Sequence, residues 1–209
     1  AGAENKHRQV DTALKLGWRI PRTCHSNDKS HLAEFLSHEE TVAVKALRVP
    51  AIVKEGEEEK ARHLACMSFP SGKLAEKIAA MERTQLCCQE AVQRTHDLRI
   101  MVFPLETIAA EIDVTPLEGN KLDWREQSLE LPHRIVPIDA AFDRELRQYL
   151  AMMGLKAGYF DFAVPETGPR IFFECNTNAQ WLWIEKVTGH PIAEAIAREL
   201  INGERSLPA

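Results

Sequence analysis

The chain has 209 residues, of which 44% are hydrophobic and 27% charged, and a net charge of −5, which is ordinary for a globular protein of one domain or two small lobes. That charge provides no basic field for nucleic acid or an anionic bilayer, and no apolar run approaches the roughly 18 to 20 residues of a membrane span. The N-terminus, "AGAENKHRQVD", has no signal-peptide apolar region, and the five cysteines form no CxxC pair; zinc and disulfide frameworks are therefore not expected, and a reducing cytoplasm is the expected compartment.

Asn5 to Leu16 has apolar residues on one side and Gly17 at its end, so it predicts a helix. "SNDKSHLAEFL" opens on capping residues and predicts a second. "TVAVKAL" is short and β-branched, a strand, and Lys54 to His63 is a charge run that reads as a solvated loop or helix face. Ser71 to Arg83 is helix-periodic. "QLCCQEAV", "DLRIMVF" and "ETIAAEIDV" read as three consecutive antiparallel strands, and "PLEGNKLDWREQ" as a polar loop. Asp139 to Met153 is a helix with Phe142, Leu146, Tyr149, Leu150 and Met153 along one side. "GYFDFAV" and "RIFFECN" are a strand pair joined by the turn-rich "PETGP", and "HPIAEAIARELING" closes the chain as an amphipathic helix. The expected class is α+β, with a helical front followed by an antiparallel sheet and its covering helices. Residues 1–85 and 86–209 are expected as two lobes, with "CQEAV" as the strap between them.

Asp161 lies between Phe160 and Phe162, so strand alternation points it away from both. Glu174 and Asn176 share one face of the partner strand. Two carboxylates and an amide oxygen on one face make a hard oxygen site of the kind magnesium takes; the alternative is a solvated face of an antiparallel sheet. Lys45, within an apolar strand, either snorkels to an edge or reaches a bound anion. Arg99 and Arg125 pose the choice between phosphate or carboxylate recognition and a local Asp–Arg pair. Glu90 either hydrogen-bonds a ribose or is an exposed strand glutamate. Asn178 reads as a turn residue. The eight histidines are scattered, and no HExxH, GxSxG, Walker or GxGxxG pattern occurs, so hydrolase, P-loop and Rossmann readings lose support.

Taken in order, these segments resemble the ATP-grasp ligases, in their RimK-like branch. "NKHRQVDTALKLGWRIPRT" resembles that branch's opening helix and strand, "VAVKAL" its nucleotide-lobe lysine strand, "CQEAVQRTHDLRIMVF" its interlobe strap and D-[IL]-R strand, and "GYFDFAV…FFECNTN" its magnesium signature. "NTNAQWLWIE" and "LDWREQ" are similar to "NPNGQWLWIE" and "DWR" segments of the microviridin-type (graspetide) peptide maturases, which join side-chain carboxylates of a ribosomal precursor peptide to its hydroxyls or amines.

The resemblance implies an ATP-dependent, ADP-forming ligase with two α+β lobes and the nucleotide between them, acting through an acyl phosphate on a precursor peptide or other carboxylate substrate. ATP and Mg2+ are the implied cofactors. Asp161, Glu174 and Asn176 would bind magnesium. Lys45 would contact the phosphates, with Lys54 and Asn178 as further phosphate-side candidates. Glu90, Ala91 and Val92 would line the adenine and ribose pocket, and Arg99 and Arg125 would face the γ-phosphate or acyl phosphate. No nucleic acid or membrane partner is implied, and a homodimer is left open. The alternatives are a RimK-like amino-acid or peptide ligase and a Mg-ATP- or peptide-binding module without turnover. The chain departs from the branch in three respects. Only Gly56 stands where RimK-like enzymes carry a glycine-rich phosphate loop, a loop the peptide maturases also tend to lack. Thr177 and Ala179 replace the usual Pro and Gly, and Ala179 would be strained if its φ had to be positive. The family's smaller N-terminal domain is not found in these 209 residues.

Overall fold

The computed structural model describes residues 2–45, 51–52, 62–63, 67–78, 86–117, 130–178 and 180–204, with Lys45 and a few residues at segment ends described by backbone alone. Asn5 opens helix α1 (Lys6–Lys15) by accepting from the Arg8 N–H, and Gly17 leaves it at φ 73°. Strand β1 (Thr23–Ser26) leads to α2 (Lys29–Ser37), where Asp28 accepts from the Ser30 and His31 N–H groups. Strand β2 (Thr41–Lys45), the short pair β3 (Ala51–Ile52) and β4 (Arg62–His63), β5 (Met67–Pro70), α3 (Ser71–Ile78) and β6 (Leu86–Glu90) follow. The chain continues through β7 (His96–Val102), β8 (Thr107–Asp113), β9 (His133–Val136) and α4 (Ala140–Met153), capped by Asp139 and ended by Gly154 at φ 71°. It closes with β10 (Gly158–Val164), β11 (Ile171–Asn176), α5 (Leu182–Thr188) and α6 (Ile192–Glu204).

The longer strands make two antiparallel sheets, ordered β1-β6-β2-β5 and β11-β10-β7-β8-β9. The expected α+β class holds, but the expected run of three neighbouring strands is corrected. β7 pairs with β8, whereas β6 lies between β1 and β2 in the other sheet. An apolar run marks a strand, but the side chains its faces must cover decide which sheet it joins. Strands β1, β5 and β9 and helix α5 are too short to show a period in sequence. Of the charge run, Arg62–His63 forms β4; its other residues lie outside those described, as do 118–129 of the expected polar loop and the last turn of the expected 71–83 helix.

The chain divides into two compact units, one of Ala1–Ile20, Gln93–Pro116 and Gln127–Ala209, the other of Pro21–Val92 and Leu117–Glu126. In the second, Leu32 and Leu36 of α2 and Leu74 and Ile78 of α3 pack on Val42, Leu86 and Cys88 of the four-stranded sheet. In the first, one sheet face carries an aromatic core from β10, β11 and α4. Trp18 lies at its centre, stacked on Tyr149 at 5.3 Å and edge-on to Phe162 at 5.2 Å. The opposite face is split: Met101, Ile108, Ala110 and Tyr159 pack under Ile184 of α5 and Ile192 and Ala195 of α6, while further along that face Asp97, Arg99, Asp161 and Glu174 stand beside the buried Ile112 and Ala163.

Candidate functional site

The charged half is set by register. Arg99 of β7 is the cross-strand partner of Asp161, and Asp161 is the partner of Glu174. Partners in antiparallel strands share a face, so Arg99, Asp161 and Glu174 form one row across three strands. A bulge in β10–β11 follows the Asp161 position. Phe160 and Phe162 enter the opposite, aromatic core, as the alternation around Asp161 predicts. Tyr159 is the partner of Asn176, which places the amide one row along on the same face.

Every carboxylate in the row is answered by a cation. Arg99 Nη1 donates to both Asp161 oxygens, at 2.5 and 2.6 Å, and both residues are buried. Arg99 Nε, also buried, has no hydrogen-bond partner among the described residues. Lys6 Nζ donates to Glu174 Oε2, and Asn176 Nδ2 donates to Glu174 Oε1 at 3.0 Å, which turns the amide oxygen of Asn176 to the other end of its group. Burial pushes the Tyr159 hydroxyl up, against the charge of Arg99. It also pushes the Cys175 thiol up to about 12, so that thiol is neutral packing rather than a nucleophile.

These residues fit a hard divalent cation in chemistry. Two carboxylates and an amide oxygen on one strand pair match the magnesium habit of using one or two carboxylates, water and substrate phosphates. Among the described residues no group of three or more His, Cys, Asp and Glu is placed to hold a metal. The Arg99 Nε–H is a buried donor with no acceptor among the described residues, and an anionic oxygen is the partner that suits it.

The other expected residues are placed as follows. Lys45 ends β2 with Cys87 as its strand partner; its side chain is not described. Glu90 is not a free strand glutamate: it accepts from the Arg22 backbone N–H at 3.2 Å and from Arg22 Nε at 3.0 Å. Arg22 also reaches Glu39 at 2.7 Å, and burial pushes the Glu39 carboxyl up in spite of it. The Ala91 N–H donates to the Thr41 carbonyl at 3.3 Å, and Val92 is buried. Asn178 is exposed in the turn after β11. Lys54, Arg125 and Ala179 lie outside the described residues. Asp97, the acid of the local Asp–Arg alternative for Arg99, is bonded instead by Arg94 through a two-pronged contact of 2.6 and 3.0 Å. Trp181 and Trp183 pack beside the α5–α6 core, Trp183 edge-on to His133 at 5.3 Å. Sequence reasoning missed Lys6, Gln9, Arg22 and Arg94. Lys6 and Gln9 share a helix face at i, i+3, but nothing local says which strand that face meets.

No family model matches the sequence, and no curated protein matches it. Solved structures do. A RiPP-associated ATP-grasp ligase from Chryseobacterium gregarium, in complex with ADP and a leader and core peptide, superposes with a TM-score of 0.78 at 22% identity, covering 89% of this chain and 55% of that one. The macrocyclase MdnC from Microcystis aeruginosa, bound with precursor peptide MdnA, gives a TM-score of 0.80 at 23% identity, covering 96% and 62%. D-alanyl-alanine synthetase A from Vibrio cholerae gives 0.61 at 14% identity, covering 97% and 65%. The fold is the ATP-grasp fold. The chain spans less than two thirds of the length of each of these proteins.

Proposed function

We propose that the chain is the ATP-grasp portion of an ATP-dependent ligase that joins a side-chain carboxylate of a ribosomal precursor peptide to a hydroxyl or amine, with conversion of ATP to ADP and phosphate. The observation that carries this reading is the row Arg99–Asp161–Glu174, with a buried Nε–H that has no acceptor among the described residues. It is a preorganised charged strip on rigid strands, suited to charge that develops during phosphoryl transfer. Fold neighbours in complex with ADP and peptides, and the ATP-grasp ligase PsnB in complex with a precursor variant, Mg and ADP, support the same class of reaction.

Asp161, Glu174 and Asn176 would hold the magnesium ion, whose chemistry is to offset phosphate charge. Arg99 orients the Asp161 carboxylate through Nη1 and offers Nε to an anionic oxygen. The remaining roles follow the resemblance: Lys45, Lys54 and Asn178 toward phosphates, Glu90, Ala91 and Val92 toward the adenosine, and Arg125 beside Arg99 in function. Glu90 would turn from Arg22 to take a ribose hydroxyl. Among the described residues no helix is long and apolar enough to cross a membrane.

The test is ADP release in the presence of magnesium and a precursor peptide. Glu174→Gln, which keeps shape and removes charge, is expected to lower turnover by about 100-fold or more, the scale of losing one preorganised charge contact. Undiminished turnover in that variant would sink the cation assignment. Mg-ATP binding with no ADP release under any peptide would favour a binding module instead.

A further inference from the structure

Glu174 and Asn176 stand on β11, the edge strand of its sheet. An edge strand turns the N–H and C=O of alternate residues away from its neighbour, and those groups need another partner. Cys175, between the two oxygen donors, is such a residue. Gln9 of α1 answers both of its groups: Gln9 Nε2 donates to the Cys175 carbonyl at 2.7 Å, and the Cys175 N–H donates to Gln9 Oε1 at 3.2 Å. The same Nε2 donates to the Ala3 carbonyl at 2.8 Å, and Gln9 is 2% exposed. A polar side chain so deeply buried is retained where its hydrogen bonds are needed.

We propose that Gln9 is a positioning residue for the cation site. Its amide stands where the peptide group of a further strand would stand, and it fixes the strand end from which Glu174 and Asn176 point. This rests on the cation reading of Asp161, Glu174 and Asn176. Glutamine suits the task because one planar group supplies a donor and an acceptor at peptide spacing. Asparagine is one methylene shorter, glutamate lacks the donor when ionised, and leucine fills the volume and answers neither group. With Gln9→Leu the Cys175 N–H and C=O lose their partners, so the end of β11 relaxes and its two donors lose alignment.

The probe is Mn2+, titrated into the protein with ADP present and read by electron paramagnetic resonance, alongside thermal unfolding. Gln9→Leu is expected to weaken Mn2+ binding by about tenfold or more, the usual consequence of losing a group that orients metal ligands. Thr12→Val is the control: it is buried on the same helix and bonds Arg8 and Met153 but not β11. It is expected to lower the melting temperature while leaving Mn2+ affinity at the wild-type level. Gln9→Met serves as the second variant if Gln9→Leu does not fold. Equal Mn2+ affinity in the Gln9 variants and the wild type, or equal losses from Gln9→Leu and Thr12→Val, overturns the proposal. If Glu174→Gln binds Mn2+ as tightly as the wild type, the cation reading itself has failed, and the role of Gln9 falls with it.

Discussion

At the scale of single residues, the site is defined by which cation answers which acid. Lys6 holds Glu174 from a side chain that is half-exposed, so the pair adds little to folding. It also sets an ammonium against a carboxylate that would ligate a metal. Lys6→Met is therefore expected to tighten Mn2+ binding by about 2- to 5-fold, the equivalent of a weak surface ion pair removed from competition, with almost no change in melting temperature. Calorimetric titration checks this; weaker binding would show that Lys6 supports the site rather than competes for it. His133 gives a pH signature. Its Nδ1–H donates to the Leu131 carbonyl at 2.6 Å, and burial lowers its pKa below the ordinary value of 6.5 in spite of that bond. The fold thus prefers neutral histidine. Stability falls as pH drops below 6.5, because the unfolded chain takes up the proton more readily, and the loss levels off below the folded-state pKa. In His133→Gln the melting temperature, followed between about pH 5 and 8, should show a shallower acid limb than the wild type.

At the scale of elements, the β10–β11 pair is where sequence reading reached furthest. Alternation in "GYFDFAV" and "FFECN" with a turn-rich link was enough to expect a strand pair that brings Asp161 near Glu174, because the period of a strand is local and the link is short; the register that sets them directly opposite comes from the structure. The register of β7 was not readable. Arg99 could be named as an anion-binding candidate, but its pairing to Asp161 rather than to the nearby Asp97 depends on β7 lying beside β10, 62 residues on. The same pair of strands meets α4 very closely. A Cβ on Gly158 would lie 2.7 Å from Leu150 Cδ2 and 2.8 Å from Cys175 Sγ, both in buried side chains. Gly158→Ala should cost about 1–3 kcal/mol by overpacking, read as a lower urea midpoint at unchanged slope. A neutral result would mean that α4 can lift from the sheet without strain.

At the scale of the whole molecule, each unit carries its own core, and the larger one is organised around Trp18. Its ring touches Phe142, Tyr149, Phe160, Phe162 and Phe172, and its Nε1–H donates to Glu145 at 2.9 Å. Trp18→Ala should cost about 3–5 kcal/mol, seen as a large fall in melting temperature with near-ultraviolet dichroism lost. An undisturbed aromatic spectrum would contradict this role. Residues 1–20 thereby fold with the C-terminal strands: Gln9 and Lys6 reach across 166 and 168 residues to β11. What the sequence determined by itself was the longer helices and strands, the α+β class, and the face that Glu174 and Asn176 share, because helix and strand periods, caps and turns act over a few residues. Tertiary structure alone decided which sheet took β6, which cation met each carboxylate, and that a buried glutamine on the first helix braces the last strand. Those outcomes depend on contacts between segments far apart in the chain, where apolar surface needs cover and edge groups need partners, and no local pattern records them.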